Sequence, residues 1–282
     1  MEDKLPDGNL YASHSAKTRP HGANPCARWP NAEVGFAAAD HTGDDLGMRC
    51  DVWWARPAPA TGRLLALLDD VEHERYERYR QEVDKLRFLT GRTLLRMVGG
   101  RWLGVEPEKV ALDASCYDCG KPHGKPRVVA PGAPEMSVSH SGSLVALAVA
   151  DGPAVGIDVE QIRTAEVGEL ARLTFSPDER ATFDALPAGE RQGAFFTYWA
   201  RKEAVVKATG RGMSIAMSKL TLSAHDAPPR LVASASSEVD PAGVRMADLS
   251  PGHDYRASVA VLSAESPEVT EQDADALIAA LG

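Results

Sequence analysis

A repeated order of predicted elements constrains the fold of this 282-residue chain most strongly. Apolar residues at helical spacing cover 64–98, and strand-like alternation follows within 136–150. In the second half, a broken helical region ends at Ala208, and strand-like alternation follows within 220–262. A helix-then-strands order that occurs twice predicts two related α+β lobes. A cleft between such lobes is a usual place for a ligand.

The overlay of the two halves and the composition together predict three parts. Leu89 aligns with Tyr198, an offset of 109 residues. We therefore predict an N-terminal α/β lobe over 50–152 and a C-terminal α/β lobe over 153–282. Residues 1–49 are rich in Gly, Ala, Asn, Asp, His and Pro and lack periodicity, which predicts a mobile or loosely draped extension.

The bulk composition argues against several classes of function. A formal net charge of −9 at pH 7 makes the phosphate backbone of a nucleic acid an unfavourable partner. Apolar runs stay well short of the roughly 20 residues that a membrane helix needs, and residues 1–20 lack the apolar segment of a secretory signal. The sequence therefore predicts a cytoplasmic protein whose four cysteines are reduced.

Two acidic residues, Asp158 and Glu160, lie two positions apart in a predicted strand over 155–160. Residues at this spacing share one face of a strand, and two carboxylates on one face can hold Mg²⁺ through oxygen ligands. The alternative is an exposed strand face with solvated acids, which is the commoner meaning of an isolated D-x-E pattern.

A second acid and a base lie on the predicted helix that ends near Ala208. Trp199, Glu203 and Lys207 are spaced four residues apart and therefore share one helix face. As a metal ligand, Glu203 can also accept a proton, and Lys207 can offset charge on a phosphoryl group. The alternative is a surface ion pair of small value, although a tryptophan on the same face usually packs.

A histidine among small hydroxyl residues, His140, lies at a predicted hairpin bend after Ser139. Such a pair resembles hydrolase chemistry, but residues adjacent in sequence rarely reach the geometry of a triad, and the chain has no G-x-S-x-G motif. A histidine that donates to a phosphate oxygen fits the surroundings better. The alternative is a turn histidine without a chemical task.

The first predicted helix carries arginines, Arg75 and Arg87 among them, opposite its leucine stripe. A solvated face is the ordinary interpretation of such a charge run. Guanidinium groups concentrated in this way can also clamp a phosphate.

The segment containing Cys116, Cys119 and His123 has a C-x₂-C pair followed by a histidine, a pattern typical of zinc ligands. A structural zinc site usually has four ligands, and the sequence offers no second C-x₂-C pair. We therefore predict a plain loop, with a zinc site as the alternative. A redox pair is disfavoured because no thioredoxin-like βαβ pattern surrounds it.

The order and spacing of three motifs resemble the 4′-phosphopantetheinyl transferases, and among them the larger, monomeric, surfactin-synthetase-activating type. The motifs are Ser139-His140-Ser141-Gly142, Val155-Gly156-Ile157-Asp158-Val159-Glu160 and Trp199-x₂-Lys202-Glu203-Ala204-x₂-Lys207. Two further segments match, Gly124-Lys125-Pro126 and Phe175-Ser176-Pro177-x-Glu179. The resemblance covers about 51–262 and omits the N-terminal extension.

The resemblance implies a fold and a reaction. The fold is two pseudo-symmetric α/β lobes with coenzyme A in the cleft between them. The reaction is Mg²⁺-dependent transfer of the phosphopantetheine arm of coenzyme A to a serine hydroxyl of an acyl or peptidyl carrier protein, which releases adenosine 3′,5′-bisphosphate. It also implies a monomer.

The resemblance further implies roles for residues that match its motifs. Asp158, Glu160 and Glu203 correspond to the magnesium ligands at the pyrophosphate, and Glu203 also to the base. Lys207 corresponds to the lysine that steadies the pyrophosphate. His140 corresponds to a phosphate-binding histidine.

Contacts with the nucleotide end of coenzyme A are implied in the same way. Lys125 and Arg75 correspond to basic contacts on the side of the 3′-phosphate, and Arg87 is a further candidate. Ser139 and Phe88 correspond to positions near the nucleotide.

Three residues stand apart from these assignments. Phe88 stands where the family pattern has a hydroxyl residue, and Glu72 stands where a second basic residue is expected. Lys202 points about 100° away from Glu203 on the helix, which predicts a structural position or one at the side of the cleft.

The acidic charge of the chain bears on its partner. Carrier proteins of this family are usually acidic, so a chain at −9 is predicted to dock them through apolar contacts at Met213 and Met217. Two alternative functions remain open. One is a coenzyme A-binding protein without transfer activity, and the other is a metal-dependent phosphohydrolase, although the chain lacks the denser Asp/His ligand set expected of one.

Overall fold

A computed structural model describes residues 48–281 of the chain. The predicted extension over 1–49 lies outside the described residues apart from its last two positions. The helices are α1 (Gly62–Leu65), α2 (Asp70–Arg78), α3 (Glu82–Leu103), α4 (Val167–Thr174), α5 (Pro177–Asp184), α6 (Ala188–Thr209) and α7 (Asp275–Ala279). The strands are β1 (Arg49–Ala55), β2 (Leu112–Asp113), β3 (Arg127–Val128), β4 (Glu135–Ser141), β5 (Leu144–Ala150), β6 (Val155–Gln161), β7 (Leu220–Leu222), β8 (Leu231–Ser234), β9 (Val244–Leu249), β10 (Tyr255–Leu262) and β11 (Glu268–Asp273).

Two sheets pack face to face, and a long helix covers the outer face of each. The first sheet has the order β11-β1-β5-β4, and the second has the order β6-β10-β9. One core lies between α3 and the first sheet, a second lies between α6 and the second sheet, and a third lies between the sheets. Strand β5 is buried along its whole length because its two faces belong to different cores.

The predicted duplication is present in the topology. The order β1-β5-β4 in the first sheet matches β6-β10-β9 in the second, and both sets are antiparallel. Helices α3 and α6 each have 22 residues and end at a left-handed glycine, Gly104 with φ 67° and Gly210 with φ 68°. Those glycines lie 106 positions apart, so the predicted offset of 109 is wrong by about one helical turn.

Each lobe also repeats an ion pair that attaches a short helix to the long one. Glu72 is the third residue of α2, forms a capping box with Asp69, and accepts from Arg96 of α3 at 2.7 Å. Glu179 is the third residue of α5 and forms a capping box with Ser176, and its carboxylate lies 2.6 Å from the ammonium of Lys202 in α6. The position where the family pattern suggested a second basic residue is therefore the structural counterpart of Glu179.

The helical pattern over 64–98 forms three helices and not one. Asp69 caps α2 with its side chain, and Tyr79 leaves the helical conformation at ψ 130° before α3 begins. The apolar spacing continues across both breaks because all three helices contribute to the same core. Helix α4 and strand β11 lie in segments where no element was predicted.

The predicted boundary of the C-terminal lobe, 153–282, is wrong for its last strand and helix. Strand β11 pairs in parallel with β1 of the first sheet, and Leu277 and Ile278 of α7 belong to the core under α3. Strand β11 is polar, so its place depends on backbone pairing with β1 and not on an apolar pattern. Across the described residues, none of the helices combines the length and apolar composition that a membrane crossing requires.

Candidate active site

Strand β6 directs its acidic residues away from the first sheet and toward α6. Ile157 and Val159 lie in the core between the sheets, so Asp158 and Glu160 occupy the opposite face. Both acids are buried, with 3% and 7% of their surfaces exposed. The alternative of a solvated strand face is therefore wrong. Gly156 permits the close approach of α6, because a Cβ there would lie 2.0 Å from the carbonyl oxygen of Ala204.

Serine side chains of β4 hold these acids in place. The hydroxyl of Ser139 donates to Asp158 at 2.8 Å, and that of Ser141 donates to Glu160 at 2.9 Å. The same serine oxygens accept from backbone amides of β6, at Val159 and Gln161. These contacts connect the edges of the two sheets and orient both carboxylates. Ser141 was not among the predicted site residues, although the alternation of serine in β4 marks the face that meets the acids.

Helix α6 supplies a lysine and a third carboxylate. The ammonium of Lys207 donates to Asp158 at 2.7 Å and to Ser139 at 2.8 Å. The interpretation of Glu203 and Lys207 as a surface pair is therefore wrong, since this ammonium binds Asp158 across the site. Glu203 is half-buried one turn earlier, and Trp199 packs in the core beneath α6, as its helix face predicted.

Burial makes charge costly in this site, which has three acidic groups and one lysine. It raises the pKa of Asp158, and burial followed by repulsion from Asp158 raises the pKa values of Glu160 and Glu203 to about 7. Burial lowers the pKa of Lys207, but the attraction of Asp158 and Glu203 outweighs it and leaves that pKa raised. Three carboxylates around one ammonium favour the entry of a further cation.

The donor set suits a hard divalent cation. Carboxylate oxygens are the ligands that Mg²⁺ prefers, and the buried Oδ2 of Asp158 has no hydrogen-bond partner. The three carboxylates do not form a compact triad, because their oxygen atoms do not all lie within 4.8 Å of one another. Closure around a cation therefore requires the carboxylates to move together.

His140 lies on the face of β4 opposite to Ser139 and Ser141. It precedes the last residue of that strand and does not lie in the bend, which is formed by Gly142 at φ 58° and Ser143. Burial, followed by the positive charges of Arg87 and Lys207, lowers the pKa of His140 to about 3. Its Nδ1 is buried without a hydrogen-bond partner. The imidazole is therefore neutral and has a ring nitrogen available for a ligand.

Arg87 braces the hairpin next to this histidine. Its guanidinium donates twice to the carbonyl oxygen of Gly142, at 2.9 and 2.6 Å, and once to Asp84 at 2.7 Å. The structure thus brings Arg87 near His140 and gives it a positioning contact. A phosphate there would share the guanidinium with Gly142.

Arg75 and Arg92 lie against the buried ring of Phe88 and not on a solvated face. Phe88 is 6% exposed, with the guanidinium of Arg75 at 5.4 Å and that of Arg92 at 5.0 Å from its ring centroid. Arg92 also pairs with Glu72 at 2.9 Å. Phe88 is thus a core residue, and a ligand can reach only the margin of its ring.

Lys125 connects the lobes through a backbone contact. Its ammonium donates to the carbonyl oxygen of Val155 at 2.8 Å and lies 3.4 Å from Glu135. Burial, more than its charged neighbours, sets its pKa below the ordinary lysine value. The ammonium of Lys125, which was predicted to contact the 3′-phosphate, therefore already donates to the backbone at the start of β6.

The two predicted docking methionines follow α6. Met217 is half-buried against the second core, and its carbonyl oxygen accepts from Lys202 at 2.8 Å. Met213 lies in the short turn Gly212–Ser214, and its side chain falls outside the described part of the chain. Lys202 is fully buried, which agrees with its predicted structural position.

Comparisons with known proteins agree with this geometry. Residues 154–260 match the family model described as the 4′-phosphopantetheinyl transferase superfamily. The chain is 38% identical over 152 residues to 4′-phosphopantetheinyl transferase HetI of Nostoc sp., which covers 54% of this chain and 63% of that relative. It is 27% identical over 179 residues to a 4′-phosphopantetheinyl transferase of Bacillus subtilis, with 62% and 75% covered. It is 25% identical over 208 residues to 4′-phosphopantetheinyl transferase Sfp of Bacillus subtilis, with 73% and 87% covered. The match to HetI thus spans less than two thirds of that relative.

Proposed function

Through residues 154–260 the chain belongs to the 4′-phosphopantetheinyl transferase superfamily, and from this premise we propose that it transfers the phosphopantetheine arm of coenzyme A to a carrier protein. The acceptor is a serine hydroxyl of an acyl or peptidyl carrier domain, and the second product is adenosine 3′,5′-bisphosphate. The observation that carries the proposal is the buried cluster of Asp158, Glu160 and Glu203 around Lys207. The motif resemblance further supports a cytoplasmic monomer.

Asp158, Glu160 and Glu203 hold Mg²⁺ in this proposal. When bound, the ion offsets the negative charge of the pyrophosphate of coenzyme A. Two observations support the assignment: the excess of carboxylates over cations and the unpartnered Oδ2 of Asp158. Ser139 and Ser141 fix two of the three ligands from behind, as supporting hydrogen bonds do in other metal sites.

Glu203 is the base in the proposed transfer. A carboxylate at this position can accept the proton of a hydroxyl group placed beside it, as a general base does. The proton of the carrier serine moves to this carboxylate as the serine oxygen forms its bond to the phosphorus of the arm. The bond from that phosphorus to the bridging oxygen breaks, and the oxygen leaves with adenosine 3′,5′-bisphosphate.

Lys207 and His140 bind the phosphates in this proposal. Lys207 is already held by Asp158 and Ser139, so its ammonium is fixed where charge develops on the leaving oxygen. His140 is neutral and half-buried, and it can donate one hydrogen bond to a phosphate oxygen without adding a full charge. Arg75, Arg87 and Lys125 remain proposed contacts toward the 3′-phosphate.

The proposal is tested by intact-mass analysis of an apo carrier protein incubated with this chain, coenzyme A and Mg²⁺. A mass gain of one phosphopantetheine arm supports transfer. Tight binding of coenzyme A without any carrier gaining mass supports a binding protein and contradicts the proposal. Release of inorganic phosphate with an unmodified carrier supports a phosphohydrolase and contradicts it as well.

A further inference from the structure

We infer that Cys116, Cys119 and His123 form a zinc site that is separate from the carboxylate cluster. Their three ligand atoms all lie within 4.8 Å of one another. Within residues 48–281, no other group of three potential His, Cys, Asp or Glu ligands is as close. The sulfur of Cys119 lies 3.0 Å from Nε2 of His123. The sequence predicted a plain loop here, with a zinc site as the alternative. Because the three potential ligands converge, the geometry favours the zinc site.

The backbone of this loop brings the ligands together by its own hydrogen bonds. The amide of Cys116 donates to the carbonyl oxygen of Lys121 at 2.8 Å, and the amide of Gly120 donates to that of Cys116 at 2.9 Å. Gly120 adopts φ 69°, a left-handed conformation that glycine reaches without strain. Because these contacts close the turn without a metal ion, little ordering remains to be done when an ion binds.

Glycine is also required where the loop ends. A Cβ at Gly124 would lie 2.5 Å from the carbonyl oxygen of Ser115 and 2.9 Å from the Cα of Cys116. The amide of Gly124 donates to the carbonyl oxygen of Ala114 at 2.7 Å. The close crossing of these two backbone segments places His123 beside the cysteine pair.

The ligand chemistry selects zinc. Two thiolates and one imidazole are soft to intermediate ligands, which suit Zn²⁺ and not the hard Mg²⁺ of the carboxylate cluster. Binding deprotonates the two thiols and releases two protons, so that two sulfur–zinc bonds form on a neutral site. Zinc–sulfur and zinc–nitrogen bonds of about 2.3 and 2.0 Å at tetrahedral angles require the distance between the Cys119 sulfur and the His123 nitrogen to widen to about 3.5 Å. A water molecule then occupies the fourth position.

The loop contacts the second lobe next to the end of α6, which gives the site a structural task. The guanidinium of Arg211 lies 3.8 Å from the ring centroid of Tyr117, within the metal loop, and Arg211 also pairs with Glu238 at 3.2 Å. Lys125, two residues after the metal loop, donates to the first residue of β6. Zinc in the loop thus fixes two contacts between the lobes without touching the carboxylates.

Cobalt titration of the full chain, reduced and free of metal, tests the site. We expect one equivalent of Co²⁺ to give the near-ultraviolet charge-transfer band of a cobalt–thiolate bond, and one equivalent of Zn²⁺ to abolish it. The carboxylate cluster has no sulfur, so it cannot produce this band. Cys119→Ser is expected to lose most of the band intensity, whereas Cys50→Ala, which removes a buried thiol of the core, keeps it.

A second pair of variants keeps the test decisive if Cys119→Ser fails to fold. His123→Ala is expected to weaken Zn²⁺ binding at least tenfold in competition with a chromophoric chelator, and His253→Ala, at an exposed histidine, to leave it unchanged. Absence of the thiolate band in the reduced chain overturns the inference, as does a band of full intensity in Cys119→Ser. Phosphopantetheine transfer is measured separately, so its failure does not affect this result.

Discussion

The ammonium of Lys202 lies 2.6 Å from the carboxylate of Glu179 in the interior of the second lobe, where both side chains are almost completely excluded from solvent. The same ammonium donates to the carbonyl oxygens of Met217 and Leu220. Glu179 in turn accepts from the amides of Ser176 and Leu222. The lysine of the sequence motif around Glu203 is therefore a structural residue, and the glutamate beside it faces the site.

Lys202→Met is expected to destabilise the protein by about 3–5 kcal/mol, because it leaves the buried charge of Glu179 without its partner. Urea denaturation followed by circular dichroism measures the loss. Arg172→Met is the matched control, since Arg172 pairs with Glu169 on the surface, and we expect a change of about 0–1 kcal/mol there. Equal losses in both variants would contradict the structural role of Lys202.

Glu203→Gln is expected to reduce phosphopantetheine transfer by about 10²–10⁴-fold, because glutamine keeps the shape of the side chain but cannot accept the serine proton. The initial rate of carrier modification, read by intact mass, measures the effect. Coenzyme A binding, measured by calorimetry, is expected to change much less. A variant that retains the wild-type rate at saturating Mg²⁺ would remove Glu203 from the role of base.

Gly156→Ala is expected to displace α6 from β6 or to destabilise the second lobe, since the new Cβ would lie 2.0 Å from the backbone oxygen of Ala204. Both results abolish transfer, because Glu203 and Lys207 depend on the position of α6. Thermal unfolding and transfer activity are the measurements. Gly168→Ala is the control, because a Cβ at that helical position meets nothing within 4 Å. Wild-type activity in Gly156→Ala would contradict the close packing.

The stability of the metal-free protein is expected to depend on pH through Glu160 and Glu203. Their pKa values of about 7 in the folded chain exceed the ordinary glutamate value of 4.5. Between these values the folded state holds protons that the unfolded state has lost, so this contribution to stability is present below pH 4.5 and is lost as pH rises through 7.

His140 acts in the opposite direction over an overlapping window, because its pKa is lowered to about 3 in the folded chain and its stabilising contribution appears as pH rises. The measurement is therefore the difference in free energy of unfolding between wild type and Glu160→Gln from pH 4.5 to pH 8. We expect the variant to show a smaller loss near neutral pH than wild type, because only Glu203 still contributes to it, and Mg²⁺ to restore wild-type stability there. A difference that does not change with pH would show that Glu160 is ionised throughout.

Local periodicity predicted much of this site. The two-residue spacing of Asp158 and Glu160 placed them on one strand face, and the four-residue spacing of Glu203 and Lys207 placed them on one helix face. Ser176 and Pro177 are residue types that favour the first positions of a helix, and α5 begins there with a capping box to Glu179. Such relationships depend on backbone geometry over a few residues, so the sequence alone contains them.

The tertiary structure decided which of these faces are buried and what they meet. The serines of β4 hold the acids only because the edges of two separate sheets meet there, and β11 joins β1 across more than two hundred residues. The charge run that contains Arg92 and Arg96 predicts a solvated face, but in the structure Glu72 of another helix pairs with both. Burial and charge pairing result from contacts between segments that are distant in sequence, and a short-range sequence pattern does not indicate which segments will be in contact.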